Sequence, residues 1–288
     1  MEKVFTSTAG GNHDDLRLII FLSLFFIFAT LEFIIPWRKR SLPRSKRWSQ
    51  NLSLTLLNSI FAKFTLGGIP LAISYMCLQK EIGFIYLIEA HETVLIFLSF
   101  LFLDLFIYLQ HLMFHAAPLL WRLHKVHHSD PDLDVTSGFR FHPIEILLSL
   151  ILKSGAVMVS GAHPLGVLVF EILLNAGSLF NHSNINIPNR LEKYLSLIIV
   201  TPKFHLIHHS AAVEETNSNF SFTISVWDRI FGSLHKKSTY ENILIGLKEY
   251  KKSKDLGILK LLLLPFENKA QGYSMSSKAD TNKINGKS

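Results

Sequence analysis

The chain is poor in cysteine and in charge. Cys77 is the only cysteine among 288 residues and lies inside an apolar block. That excludes an intrachain disulfide framework, a cysteine-ligated zinc site and an iron–sulfur cluster. Any metal must be held by nitrogen and oxygen. Charged residues make up only 18% of the chain, and mean hydropathy is +0.29. Soluble domains carry about a quarter charged residues, so a polytopic membrane protein is expected. The formal charge of +7 would suit nucleic acid. However, the basic residues sit in loops and a tail beside apolar blocks, which points to an anionic membrane face and no nucleic acid.

Long apolar blocks are what the chain does have. Leu16–Trp37 can cross a bilayer as a helix. It lacks a short basic start and a small-residue cleavage site, so a retained span is expected, not a signal peptide. The loop "RKRSLPRSKR" at 38–47 crowds six basic residues and is placed in the cytoplasm by the positive-inside rule. A second span is expected over Leu52–Leu78 and a third over 93–115, ending in histidines. Two shorter runs, Ile144–Gly161 and Leu165–Phe180, are joined at "GAHP" as a full or re-entrant hairpin. The expected fold is all-α: a membrane bundle of four or five embedded helices with a cytoplasmic helical cap. The expected organisation is an N-terminal segment (1–15), membrane spans with a basic loop (16–92), a region that carries the histidine clusters (93–240), a cap segment (241–267) and a disordered polar tail (268–288).

All the histidine clusters fall on the same expected face. His111 and His115 are four residues apart and share a helical face, with Asp104 and Tyr108 on the same stripe. "HKVHH" places His124, His127 and His128 at i, i+3 and i+4, and "HLIHH" repeats this with His205, His208 and His209. Imidazole nitrogens suit iron, zinc, copper or nickel, and the clusters together could surround two ions. His182, where the last apolar run ends beside Asn181, is placed to reach the same site. His142, before Pro143 and Glu145, is either a ligand or an anchor. Asp104 within a span is expected to accept the outer N–H of a ligating imidazole or, alternatively, to partner an arginine on the cytoplasmic side. His13, His91, His163 and His235 lie outside any ligand spacing.

Six motifs occur in one order: "D-x-x-x-Y-x-x-H-x-x-x-H" at 104–115, "HxxHH" at 124–128, "RFHPIE" at 140–145, "NHSN" at 181–184, "TPKFHLIHH" at 201–209 and "WDRIFGS" at 227–233. Over residues 95–235 the chain resembles the sterol desaturase/fatty acid hydroxylase superfamily of integral-membrane histidine-rich oxygenases. The resemblance implies two iron ions, with zinc able to replace them in purified protein. It also implies dioxygen as oxidant and a C–H bond of a sterol, fatty acyl, sphingolipid or ether lipid as target. His111, His115, His124, His127, His128, His182, His205, His208 and His209 would be the ligands. His142, Asp104, Tyr108 and Asn181 would be further ligands or supports behind them. Two places depart from the family pattern: Ser178 stands where some members have another histidine, and "NFS" at 219–221 replaces "N-[FY]-G". Electrons would come from a separate carrier, such as a cytochrome b5-like protein, a ferredoxin or a reductase. The host would be a bacterial inner membrane or an endoplasmic reticulum. A desaturase with the same metals and a histidine-lined metal transporter are the alternatives; the latter would set its ligands near the bilayer midplane.

Overall fold

A computed structural model describes residues 11–65, 68–237, 240, 243–251 and 257–276, with side chains from residue 15 onward. Among these residues the chain is all-helical, with isolated β-bridges only. Helix α1 spans Gly11–Ile34, and the stretch expected as one second span is built from two helices, α2 (Arg44–Phe64) and α3 (Ile69–Lys80). Helix α4 covers Glu92–Ala116 and α5 covers Pro118–His128. An apolar hairpin follows, made of α6 (Pro143–Ser160) and α7 (Pro164–His182). Short helices then cross the end of the bundle: α8 (Asn189–Leu195), α9 (Pro202–His208), α10 (Val213–Thr216), α11 (Val226–Ile230) and α12 (Ile258–Leu263).

Four helices, over 15–34, 92–116, 143–160 and 164–182, and the α2–α3 stretch within 44–87 are long and apolar enough to cross a membrane. Their outward faces carry Ile19, Phe26, Phe33, Phe97 and Val159 on the surface. That arrangement suits hydrocarbon, where a helix already satisfies its own backbone. The protein is a multi-pass membrane protein. Inside the bundle, Leu103, Ile107, Val157, Val167 and Phe170 form the core between α4, α6 and α7. The hairpin turn is tight: Gly161 adopts φ +70°, and a Cβ there would overlap the Ile82 carbonyl. Gly83 (φ +112°) meets Gly161 in turn, so the loop after α3 crosses the hairpin tip backbone to backbone.

Proline starts the helices that carry the site. Pro118, Pro143, Pro164 and Pro202 each stand at a first position, where the missing N–H costs nothing. Caps reinforce three of these starts: His142 Nδ1, His163 Nδ1 and Thr201 Oγ1 accept from the N–H of Ile144, Leu165 and Phe204.

An ion network ties the membrane helices to the loop after α5. Arg47 on α2 is fully buried and donates Nε and Nη2 to the two oxygens of Asp130, at 2.8 Å each. Its Nη1 reaches Asp134 Oδ2 at 2.6 Å, and Nη2 also meets Asp132 O and Ser137 Oγ. The "DPDLD" loop thus closes around a guanidinium. Arg140, equally buried, bonds Val126 O, Asn51 Oδ1 and Ser129 Oγ, which fixes the end of α5.

One expectation is corrected. The start of the polar tail, 268–276, is ordered against the core: Ala270 and Tyr273 pack with Leu54, Trp121, Val126 and Leu261. Trp121 Nε1 donates to Ala270 O, Tyr273 Oη to Ala211 O, and Ser274 Oγ to His115 O. A Lys- and Ser-rich composition concealed these few buried anchors. Residues 277–288 of the expected tail lie outside the described residues.

Candidate metal centre

Nine imidazoles converge in two groups. His111, His115, His124, His128 and His208 form one, and His127, His182, His205 and His209 form the other; within each group one nitrogen per ring lies within 4.8 Å of the rest. Four elements supply them. The end of α4 gives His111 and His115, α5 gives His124, His127 and His128, the end of α7 gives His182, and α9 with its C-cap gives the last three. The i, i+3, i+4 spacing on α5 divides between the groups, with His127 turned one way and His124 and His128 the other. The nine residues are buried, most of them completely.

Outer hydrogen bonds set the orientation of these rings. His111 Nδ1 meets Phe220 O at 2.8 Å, His208 Nδ1 meets Ser218 O at 2.8 Å, and His182 Nδ1 meets Ser178 O at 2.9 Å. His115 Nδ1 faces Asn217 Oδ1, and His124 Nδ1 lies 2.6 Å from Glu145 Oε1. Each of these acceptors calls for a proton on Nδ1, which leaves Nε2 with a bare lone pair pointing inward.

The bare lone pairs face one another. His111 Nε2 lies 3.1 Å from His124 Nε2, and neither can donate, because each carries its proton on the far side. The same 3.1 Å separates His182 Nε2 from the Nε2 atoms of His127 and His205, and His205 Nε2 from His209 Nε2, although of these four rings only His182 has its proton placed by an outer acceptor. Two nitrogens bound to one ion at about 2.1 Å and at right angles would stand about 3 Å apart. His115 Nε2, His128 Nε2 and His208 Nε2 are buried without a hydrogen-bond partner among the described residues. A cation between the rings would relieve the His111–His124 repulsion and take up these three orphaned Nε2 atoms. The donor set therefore fits a metal pair.

Burial also fixes the charge state. It holds the imidazole of His124 down at about 3, and those of His127, His128, His205, His208 and His209 well below the ordinary value, with neighbouring imidazoles adding to the effect in those five. All six are neutral at physiological pH, the form that binds metal.

The loop 217–235 supplies much of the outer support. Asn219, in the left-handed region at φ 53°, donates Nδ2 to Phe204 O and His235 O. Asp228 accepts from the N–H of Phe220 and of Ser221, both at 2.8 Å. These bonds hold Ser218 O and Phe220 O against the two imidazoles. Ser221, in the departing "NFS", returns an acceptor to Asp228 N and is not among the positive-φ residues, so a glycine is not required there.

The four further candidates are not among the converging rings. His142 caps α6 with Nδ1 and meets Leu262 O with Nε2, so it is an anchor. Asp104 does not touch an imidazole: its Oδ2 accepts from Trp227 Nε1 at 2.8 Å and from Ile224 N, a correction to its expected role. Tyr108 Oη bonds Ser233 Oγ, and Asn181 Nδ2 donates to Phe222 O. All four steady the shell around the site. Glu145, Asn217 and Asp228 were missed as supports; the "HPIE" box was the one signal for Glu145. Exchanging Glu145 for glutamine should lower metal affinity about 10–100-fold, because an amide replaces the carboxyl oxygen that holds His124 Nδ1. Titration of the metal-free protein checks this, and unchanged affinity would count against the support.

A cavity of about 190 Å³ lies beside the rings, between α4, α6 and α7. His111, His124 and His127 form its inner wall, and Ile107, Phe114, Phe139 and Phe141 are among its apolar lining. Phe141 stacks on His127 at 4.4 Å with an interplanar angle of 9°.

Comparison with known proteins fits this geometry. The family model for fatty acid hydroxylases matches residues 96–233. An ornithine lipid hydroxylase of Rhizobium tropici is 27% identical over 267 residues, 88% of this chain and 76% of that one. An alkylglycerol monooxygenase of Xenopus tropicalis is 28% identical over 228 residues, 77% of this chain but 48% of its own length. Human cholesterol 25-hydroxylase is 29% identical over 156 residues, 52% of this chain and 56% of its own. This chain thus spans about half the length of the last two. No solved structure matches significantly.

Proposed function

We propose that the chain, whose residues 96–233 match the family model for fatty acid hydroxylases, is a membrane oxidoreductase that hydroxylates a C–H bond of a lipid with dioxygen. The observation that carries this reading is the pair of imidazole groups opening on an apolar cavity. The nine histidines are the ligands, and the metal is iron. Two iron ions held there would supply dioxygen activation next to the cavity wall. The five donors of one group and the four of the other would hold the two ions and leave room for dioxygen.

The protein's own residues do the rest. Phe114, Phe139, Phe141 and Ile107 exclude water and hold an alkyl chain against His111 and His124. Glu145, Asn217 and the carbonyls of Ser218 and Phe220 keep the rings aimed, so no reorientation is needed at reaction. The site lies at the cytoplasmic end of the bundle, as the basic loop at 38–47 argues. A lipid tail reaches it from the bilayer, and a separate reductant supplies electrons from the aqueous side.

Incubation of membranes with isotopically labelled dioxygen should place label in a hydroxylated lipid, found by comparing lipid extracts with and without the protein. An unsaturated product without label would instead assign desaturation. No oxygen-dependent lipid product at all would overturn the reading.

A further inference from the structure

A second, larger cavity of about 630 Å³ lies behind α9, on the side away from the imidazoles. It begins at Trp37, where α1 ends and the chain pairs with the 184–186 segment: Trp37 N donates to Asn184 O and Asn186 N to Ile35 O. Its lining is cationic. Lys193, Lys203, Arg229 and Lys236 face it, and none of the four makes a salt bridge among the described residues. Arg229 bonds only to oxygens of Ser196 and Ser225. One carboxylate, Glu192, is present, and it accepts from the Thr201 hydroxyl.

Lys203 is the decisive residue. It is 7% exposed, yet its Nζ meets only Asn189 Oδ1 at 2.6 Å and the face of Trp37 at 5.0 Å. The one carboxylate near it, Glu192, makes no ion pair with it, and a buried ammonium left so is costly unless a further anion joins it. It also belongs to the "TPKFHLIHH" motif, whose histidines point the other way.

The rim says where that anion comes from. Residues 189–198 and 226–231 flank the cavity and expose Leu191, Tyr194, Ile198 (66%), Ile230 and Phe231 (53%). Apolar side chains beside lysines and an arginine, at the level where a span ends, are the composition of a segment lying in a membrane interface. We propose that this cavity binds the phosphate of an anionic membrane phospholipid, with Lys203 at its base and Lys193, Lys236 and Arg229 around the headgroup. This site is separate from the metal centre and does not rest on the hydroxylase reading.

The test uses the full chain, metal-loaded, in bilayers of phosphatidylcholine and phosphatidylglycerol, extracted into detergent. Lipids that stay bound are counted by native mass spectrometry. Phosphatidylglycerol should be enriched about fivefold over its share of the bilayer. Both Lys203→Met and the paired rim change Lys193→Glu with Lys236→Glu should return it to that share. Lys39→Glu with Lys46→Glu removes the same charge from another surface and should leave the enrichment in place. Metal content reports whether each variant is folded, and the rim pair keeps the test alive should Lys203→Met fail to fold. No enrichment in the native chain, or equal loss in the Lys39/Lys46 control, overturns the proposal. Saturable binding of soluble glycerol phosphate without lipid enrichment also overturns it, in favour of a soluble phosphate ester.

Discussion

Replacing His208 with alanine should strip the metal from the five-histidine group and reduce lipid oxidation by at least about a hundredfold. The ring stands at the centre of that group, with centroids 4.5 Å from His111, 4.7 Å from His115 and 4.6 Å from His128. Its loss removes a donor and also leaves Ser218 O without the N–H that meets it. The second group contains no residue of the first, so metal content should fall from two ions toward one per chain. Elemental analysis of purified protein beside product formation checks both halves. Full metal content with normal turnover would remove His208 from the ligand set.

Alanine at Arg47 should be as damaging to the fold as His208→Ala is to the chemistry. Both aspartates that grip the guanidinium are fully buried, and truncation removes the cation that bridges them. Breaking a buried pair in this way costs about 3–5 kcal/mol. The effect should appear as a much lower unfolding temperature in detergent, and metal would be lost with the fold because Asp130 lies just beyond His128. An unfolding temperature equal to that of the native chain would show that the loop is held by other contacts. Lysine is a poor substitute: its single ammonium cannot reproduce the two-oxygen grip on Asp130.

The histidines were legible because helical spacing puts i, i+3 and i+4 on one face, whatever surrounds them. The chain's division into apolar stretches was legible for a similar reason, since span length follows from bilayer thickness. What stayed hidden depends on partners distant in sequence. Asp104 sits near His111 along its helix, so an imidazole partner looked natural; the indole that claims it, Trp227, arrives from 123 residues away. Glu145 and Asn217 are unremarkable polar residues until the fold brings them behind His124 and His115. The break between α2 and α3 was masked by continuous hydropathy, although Gly67, Gly68 and Pro70 marked the place. Residues 268–276 failed for the opposite reason: average composition outweighed three buried side chains.

Four separate helices supply the nine rings, and this sets an order of events during synthesis. His111 is made early and His209 about a third of the chain later, while Ser274, whose hydroxyl bonds the His115 carbonyl, follows later still. With the ligand set proposed above, neither group would be complete while the ribosome is still building α9. Full loading with metal would then follow insertion of the spans, and a nascent chain arrested before residue 205 would sit in its membrane with only six of the nine imidazoles in place.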